Sequence, residues 1–178
     1  MKKLLMATAA TALMTGSAFA GGHGKEVKIG VILGFTGPLE SITPAMGAGA
    51  ELAMAEVTKS GMLLDAAKVI SVRADSTCID AGAATSAAER LVTADKVDSI
   101  MGADCSGVTG AILANVARAN GVVMISPSAT SPGLSTAEDD GLFFRTAPSD
   151  ARQGVIITNI LQDRGVDSVA LTYTNNDY

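Results

Sequence analysis

Three short segments of this 178-residue chain carry the residues best suited to hold a ligand. The first is Gly34-Phe35-Thr36-Gly37-Pro38 with the polar stretch that runs on to Thr43. The second is Gly102-Ala103-Asp104-Cys105-Ser106-Gly107, and the third is Ser126-Pro127-Ser128-Ala129-Thr130-Ser131-Pro132. Two of the three are dense in hydroxyls, and none contains a lysine or arginine. A phosphate or a sugar acid is usually met by a guanidinium or ammonium group. A small zwitterion asks instead for hydroxyls, backbone N–H groups and carbonyls. Ser106 opens a helical pattern, and the N–H groups and dipole at a helix N-terminus favour a carboxylate. The same serine equally fits an ordinary cap that serves only its own helix. Ser128, Thr130 and Ser131 also fit a Ser/Pro-rich surface loop.

The elements around these segments alternate between strand and helix. Apolar, β-branched runs at 27–33 (VKIGVIL), 69–74, 97–102 and 122–126 read as strands. Between them lie three helical patterns. The first spans about 45–60, with Met46, Ala50, Ala53, Met54 and Val57 on one face and Gly61 at its stop. The second starts near Asp80 as N-cap and stacks Ala84, Ala87, Ala88, Leu91 and Val92. The third carries Val108, Ala111, Ile112, Val116 and Ala119 and stops at Gly121. A fourth helix is expected from Asp150, with Gln153 completing a capping-box-like pair. It would bury Ile156, Ile157, Ile160 and Leu161, stop at Gly165 and lead to a strand over 168–173. Strand–helix–strand repeats with short connections predict right-handed crossovers and a doubly wound α/β fold with a parallel sheet. From Pro127 to Pro148 there is no helical period, and Leu142-Phe143-Phe144-Arg145 reads there as a short strand within a segment that crosses between lobes. In such folds ligands bind beyond the carboxyl ends of the strands, where the strand order reverses. All three hydroxyl-bearing or glycine-bearing segments follow strands, so the topology gathers them.

The remaining composition narrows the function. Lys2 and Lys3 precede an apolar stretch over 4–14, and Ala18-Phe19-Ala20 supplies the small-x-small pattern of a signal peptide, with cleavage expected after Ala20. Without Lys2 and Lys3, 11 of the 13 basic residues remain against 18 acidic ones, and such a surface repels nucleic acid. A mature chain of about 158 residues is long enough to bury one good core. The two cysteines, Cys78 and Cys105, read as a disulfide in an exported protein, with free buried thiols as the alternative. No metal site or cofactor is expected. A dinucleotide fold needs a third glycine where Gly34 and Gly37 are followed by Pro38, and no Gly-Lys-Ser/Thr phosphate loop is present. A serine hydrolase needs a histidine, and the only one, His23, stands in the leader. An enzyme is therefore not expected.

The segments Ile29-Gly30-Val31 through Pro38, Gly47 to Ala53 (GAGAELA), Asp75-Ser76-Thr77-Cys78, Gly102 to Ser106, Ile125 to Pro132 and Phe144 to Asp150 keep a characteristic order and spacing, as do Gln153-Gly154 and the terminal Asn176-Asp177-Tyr178. Through them the chain resembles the leucine/isoleucine/valine-binding proteins, type I periplasmic binding proteins of ABC transporters, over about half of a family member. The resemblance implies a signal peptide at 1–20, a leader at 21–26, a first ligand-binding lobe at 27–140, a crossing segment at 141–150 and the start of an incomplete second lobe at 151–178. It implies a monomeric periplasmic substrate-binding component that captures an amino-acid-like ligand between two lobes and delivers it to a membrane permease. Ser106 would hold the α-carboxylate. The Ser128 carbonyl and the Thr130 hydroxyl would take the ammonium, Ala129 would shape the same loop, and Tyr178 would enter from the second lobe. Cys78 and Cys105 fall where the family forms its disulfide. Ile42 stands where several members place an aromatic residue, so the side-chain pocket differs. Related members bind amides, urea-like compounds or aromatic acids, or serve as sensor domains. With one lobe alone, amino-acid binding weaker than micromolar is expected, because trapping by hinge closure draws on both sides.

Overall fold

The computed structural model of the chain describes residues 26–173 and Tyr178. The expected signal peptide over 1–20, His23 with the rest of the leader through 25, and Asn176-Asp177 lie outside the described residues.

β1 (Glu26–Leu33) is the axis of the molecule. It pairs in parallel with β2 (Lys68–Asp75) on one side and with β3 (Ser99–Gly102) on the other. β4 (Val123–Ser126) and β5 (Phe143–Arg145) follow outward, giving one five-stranded, all-parallel sheet in the order β2-β1-β3-β4-β5. A parallel sheet of this kind is covered on both faces, which is why β1 reads as a near-continuous apolar run. Its side chains alternate between two cores. Ile32 joins Ala84, Ala88, Leu91, Ile100, Ile112 and Met124 on one face. Val31 and Leu33 join Met54 and Val69 on the other.

Helix α1 (Thr43–Ser60) covers the second face, and α2 (Ala81–Thr93) with α3 (Ser106–Ile112) covers the first. α2 starts as expected, with Asp80 accepting the Ala83 N–H at 2.9 Å. Its alanines let it lie close to the sheet: a side chain on Gly30 of β1 would meet Leu91 at 2.9 Å. On α1 the buried face is Thr43, Gly47 and Met54, while Ala53 and Val57 point to solvent. The reading that put those two inside extended the apolar face too far round the helix.

The third helical segment departs from its expected phase. α3 runs into a π-helical turn (Leu113–Ala117) and then α4 (Arg118–Asn120), which ends at Gly121 in the left-handed conformation, φ 64°. An i→i+5 turn inserts a residue into the helical count. Burial therefore passes from Val108 and Ile112 to Leu113, Val116 and Ala117, and Ala119 is exposed.

The C-terminal part corrects three expectations. α5 (Asp150–Asp163) is capped by Ser149, whose hydroxyl accepts the Ala151 N–H, so Asp150 is its first residue and no capping box forms. Ile156, Ile157 and Ile160 are 44–48% exposed rather than buried, because no described element packs on that face. Residues 168–173 do not form a strand and are exposed. A strand needs a neighbour to share its ladder hydrogen bonds, and no described residue provides one. The Leu142-to-Arg145 strand does form as β5, and it is the outer strand of the same sheet. Among the described residues no helix is long and apolar enough to cross a membrane.

Candidate functional site

The strand order reverses direction between β1 and β3, and the loops leaving their carboxyl ends part around a cavity of about 600 Å³. Its aliphatic lining is Leu39, Ile42 and Met46 from the first loop and α1, Ile79 from the loop after β2, and Val108 from α3. Its polar lining is Ser106, Ser128 and Asp104, and Tyr178 also lines it. The Cys78–Cys105 disulfide also lines the cavity, with α-carbons 5.2 Å apart, inside the range a disulfide requires. Among the described residues no lysine or arginine lines the cavity.

Each polar group is held by hydrogen bonds from distant loops. Asp104 is 3% exposed, and its carboxylate accepts the Gly34 N–H at 3.1 Å and the Ser76 hydroxyl at 3.2 Å. The Ser128 hydroxyl donates to the Asp104 carbonyl at 2.9 Å. One residue thus joins four strand-end loops. Ser126, fully buried, donates to the Ala103 carbonyl at 2.5 Å and accepts the Ala129 N–H at 2.9 Å. Ser106 is not a cap: Cys105 occupies the N-cap position, and the Ser106 hydroxyl accepts the Ser131 N–H at 3.1 Å. A hydroxyl has one proton and two acceptor positions, so that bond leaves the Ser106 proton to be given to a ligand.

Of the residues expected at the site, Ser106, Ser128 and Tyr178 line the one cavity. Ala129 is fully buried behind it, with its N–H on Ser126 and its carbonyl taken by Arg145. Thr130 is not among the lining residues; its hydroxyl is 2.8 Å from that of Tyr178, which does line the cavity, and donates to Asp150 at 2.9 Å. Four site-building residues were not anticipated: Asp104, Ser126, Arg145 and Asp150. Arg145 donates to the carbonyls of Ala129 and Ser131 from behind the loop, at 3.1 and 2.8 Å. It is the sole basic residue between Arg118 and Arg152 and closes the apolar Leu-Phe-Phe run. That isolation was the available signal.

The first loop is pinned by Asp75 at the end of β2. Burial works to raise its carboxyl. The Thr36 hydroxyl at 2.5 Å, the Thr77 N–H at 2.8 Å and the Thr36 and Phe35 amides outweigh that and hold it below the usual 3.8. A carboxyl lowered in the folded state stabilises the fold fully above its ordinary value, and the stabilisation is lost as the pH falls below 3.8 toward the folded-state value. We expect the thermal midpoint to drop over that interval in the wild type and to drop less in Asp75→Asn. Parallel pH profiles for the two proteins would contradict this coupling.

Residues 26–178 match the family model described as periplasmic binding protein. The chain is 31% identical over 164 residues to Leu/Ile/Val-binding protein homolog 3 of Brucella melitensis, an alignment covering 90% of this chain and 42% of that protein. Among solved structures, it is similar to the branched-chain amino acid transporter substrate binding protein LivJ of Streptococcus pneumoniae in complex with isoleucine. That likeness has a TM-score of 0.71 and 35% identity and covers 79% of this chain and 39% of the other. The ABC transporter substrate-binding protein of Desulfitobacterium hafniense in complex with Leu gives a TM-score of 0.71 at 25% identity, over 86% of this chain and 43% of that one. The chain thus spans about two fifths of the length of these relatives. With its parallel sheet, its strand-end cavity and a match running from the first described strand to Tyr178, the chain belongs to the periplasmic binding protein family, whose members bind ligands and are not enzymes.

Proposed function

We propose that this chain forms one wall of a site for a small zwitterionic amino acid with an aliphatic side chain, in the periplasmic substrate-binding component of an ABC uptake transporter. The observation that carries the reading is the polarity of the cavity. Ser106 has one acceptor position engaged by Ser131 and its proton available, which suits a carboxylate. The same cavity is lined by Leu39, Ile42, Met46, Ile79 and Val108, and by no lysine or arginine among the described residues. Phosphorylated or strongly anionic ligands would lack a charge partner there.

In this reading Ser106 donates to the ligand carboxylate, Thr130 and the Ser128 carbonyl face the ammonium, and Leu39, Ile42 and Met46 receive the side chain. Ala129 keeps the Ser128–Thr130 loop in place, and Tyr178 closes the edge of the site. The relatives' ligands, isoleucine and leucine, have this chemistry. The partner is a membrane permease, and the binding protein acts as a monomer exported by the signal peptide at 1–20.

The test is calorimetry on the longest product of the gene, titrated with leucine, isoleucine, valine, benzoate and acetamide. One of the three amino acids should bind tightest. Ser106→Ala should weaken it by roughly 1.5–3 kcal/mol, the range for a hydrogen bond to a charged group. Unchanged affinity in that variant would remove Ser106 from the site, and preference for benzoate or acetamide would replace the amino acid as ligand.

A further inference from the structure

The Thr130 hydroxyl has a single proton, and the structure shows where it goes. Thr130 Oγ1 donates to Asp150 Oδ2 at 2.9 Å. A carboxylate only accepts, so this bond fixes the direction of the hydroxyl. The Tyr178 hydroxyl lies 2.8 Å from the same oxygen, on the side not used by that proton. Thr130 Oγ1 is left with acceptor capacity and no proton to give. The arrangement is stiff. The Asp150 N–H also donates to the Thr130 carbonyl at 2.9 Å, so the two residues are tied through backbone and side chain at once. The flanking carbonyls of Ala129 and Ser131 are held by Arg145.

We propose that Asp150 is a positioning residue that sets the selectivity of the ammonium end: by holding the Thr130 proton it keeps Thr130 an acceptor, so the site favours the charged, three-donor ammonium of an amino acid over the single hydroxyl proton of the matching 2-hydroxy acid. An ammonium brings only donors and fits such an oxygen. A 2-hydroxy acid has the same carboxylate and side chain, but offers one proton in place of three and no charge. The more ordinary role for Asp150 is an acid in the first turn of α5, where it interacts favourably with the helix dipole. That role predicts changes in stability but none in the choice between the two ligands. The inference rests on the amino-acid reading of the cavity.

The experiment compares the tightest-bound of leucine, isoleucine and valine with its 2-hydroxy acid, by calorimetry on the longest product of the gene. Asp150→Ala should lower amino-acid affinity about tenfold and leave the 2-hydroxy acid within about threefold of its wild-type affinity. Asp150→Asn keeps a carbonyl acceptor for the Thr130 proton while losing the charge. It should retain amino-acid preference within about threefold of the wild type. If Asn behaves like Ala, the charge of Asp150 rather than its hold on Thr130 matters, and the assignment is overturned. Equal losses for both ligands in Asp150→Ala, or no loss for either, overturn it as well. Should Asp150→Ala fail to fold, Thr130→Val carries the test, because removing the acceptor must collapse the same preference. A wild type that binds none of the three amino acids defeats the amino-acid site itself, and this assignment with it.

Discussion

Removing the Cys78–Cys105 disulfide should destabilise the fold by roughly 3–4 kcal/mol, the chain-entropy value for closing a loop of this length. The two cysteines are 27 residues apart in sequence. Between them run the loop after β2, all of α2 and all of β3, so an open bond frees a large part of the first core in the unfolded chain. The local geometry offsets part of the effect. Thr77 and Cys78 both adopt positive φ, at 57° and 70°, a conformation that costs about 1–3 kcal/mol per residue when nothing imposes it. Asp75 holds Thr77 through its N–H, and the covalent bond holds Cys78. The check is a urea titration of the Cys78→Ala/Cys105→Ala double variant beside the wild type. The midpoint should fall by about 1–3 M, from that free energy and an ordinary urea slope. An unchanged midpoint would show that hydrogen bonds alone fix this loop. Ligand affinity should fall with it, because Cys105 is the N-cap residue immediately before Ser106.

The scaffold of this site is legible in the sequence for a clear physical reason. Strands such as 27–33 are buried on both faces and need a continuous apolar run, and α2 must present a face of small residues to pack closely. Both demands leave periodic patterns that can be read locally. The strand-end rule then places Ser106 and Ser128 together with no knowledge of side-chain geometry. What local pattern cannot show is a change of phase or a bond between distant residues. The π-helical turn at Leu113–Ala117 moved burial from Ala119 to Ala117 with no marker residue. The apolar face of α5 looks like any core helix, and its exposure depends on what lies opposite. Asp104 reads as one acid in a loop, yet its role follows from Gly34, 70 residues away, and Ser76, 28 away. Asp150 reads as a helix-start acid, and its tie to Thr130 spans 20 residues. Hydroxyl positions come from spacing, while the direction of each hydroxyl proton comes from the folded network.

Gly102→Ala should be the most damaging single substitution in the chain, with a loss of more than about 4 kcal/mol or failure to fold. Gly102 is the last residue of β3 and lies beside Ile32 of β1 in the register of the sheet. Its φ is 135°, a region that residues with a side chain rarely adopt. A β-carbon there would sit 2.0 Å from the Ile32 carbonyl oxygen and 2.8 Å from Ile32 Cγ2. Ile32 cannot yield. It is fully buried in an interior strand, with β2 and β3 bonded on either side. The alternative is for β3 to move, and that displaces the loop carrying Asp104, Cys105 and Ser106. The substitution therefore strikes the core and the site through one contact. Gly110→Ala in α3 is the matched control, since a β-carbon there would meet only Leu134, at an ordinary 3.9 Å. Replacing a helix-interior glycine in open space should raise stability by about 0.5–1 kcal/mol. Denaturant titrations of the two variants should therefore move in opposite directions. A Gly102→Ala protein with a wild-type midpoint would mean that the β1–β3 contact is not fixed, and with it the geometry assigned to Ser106.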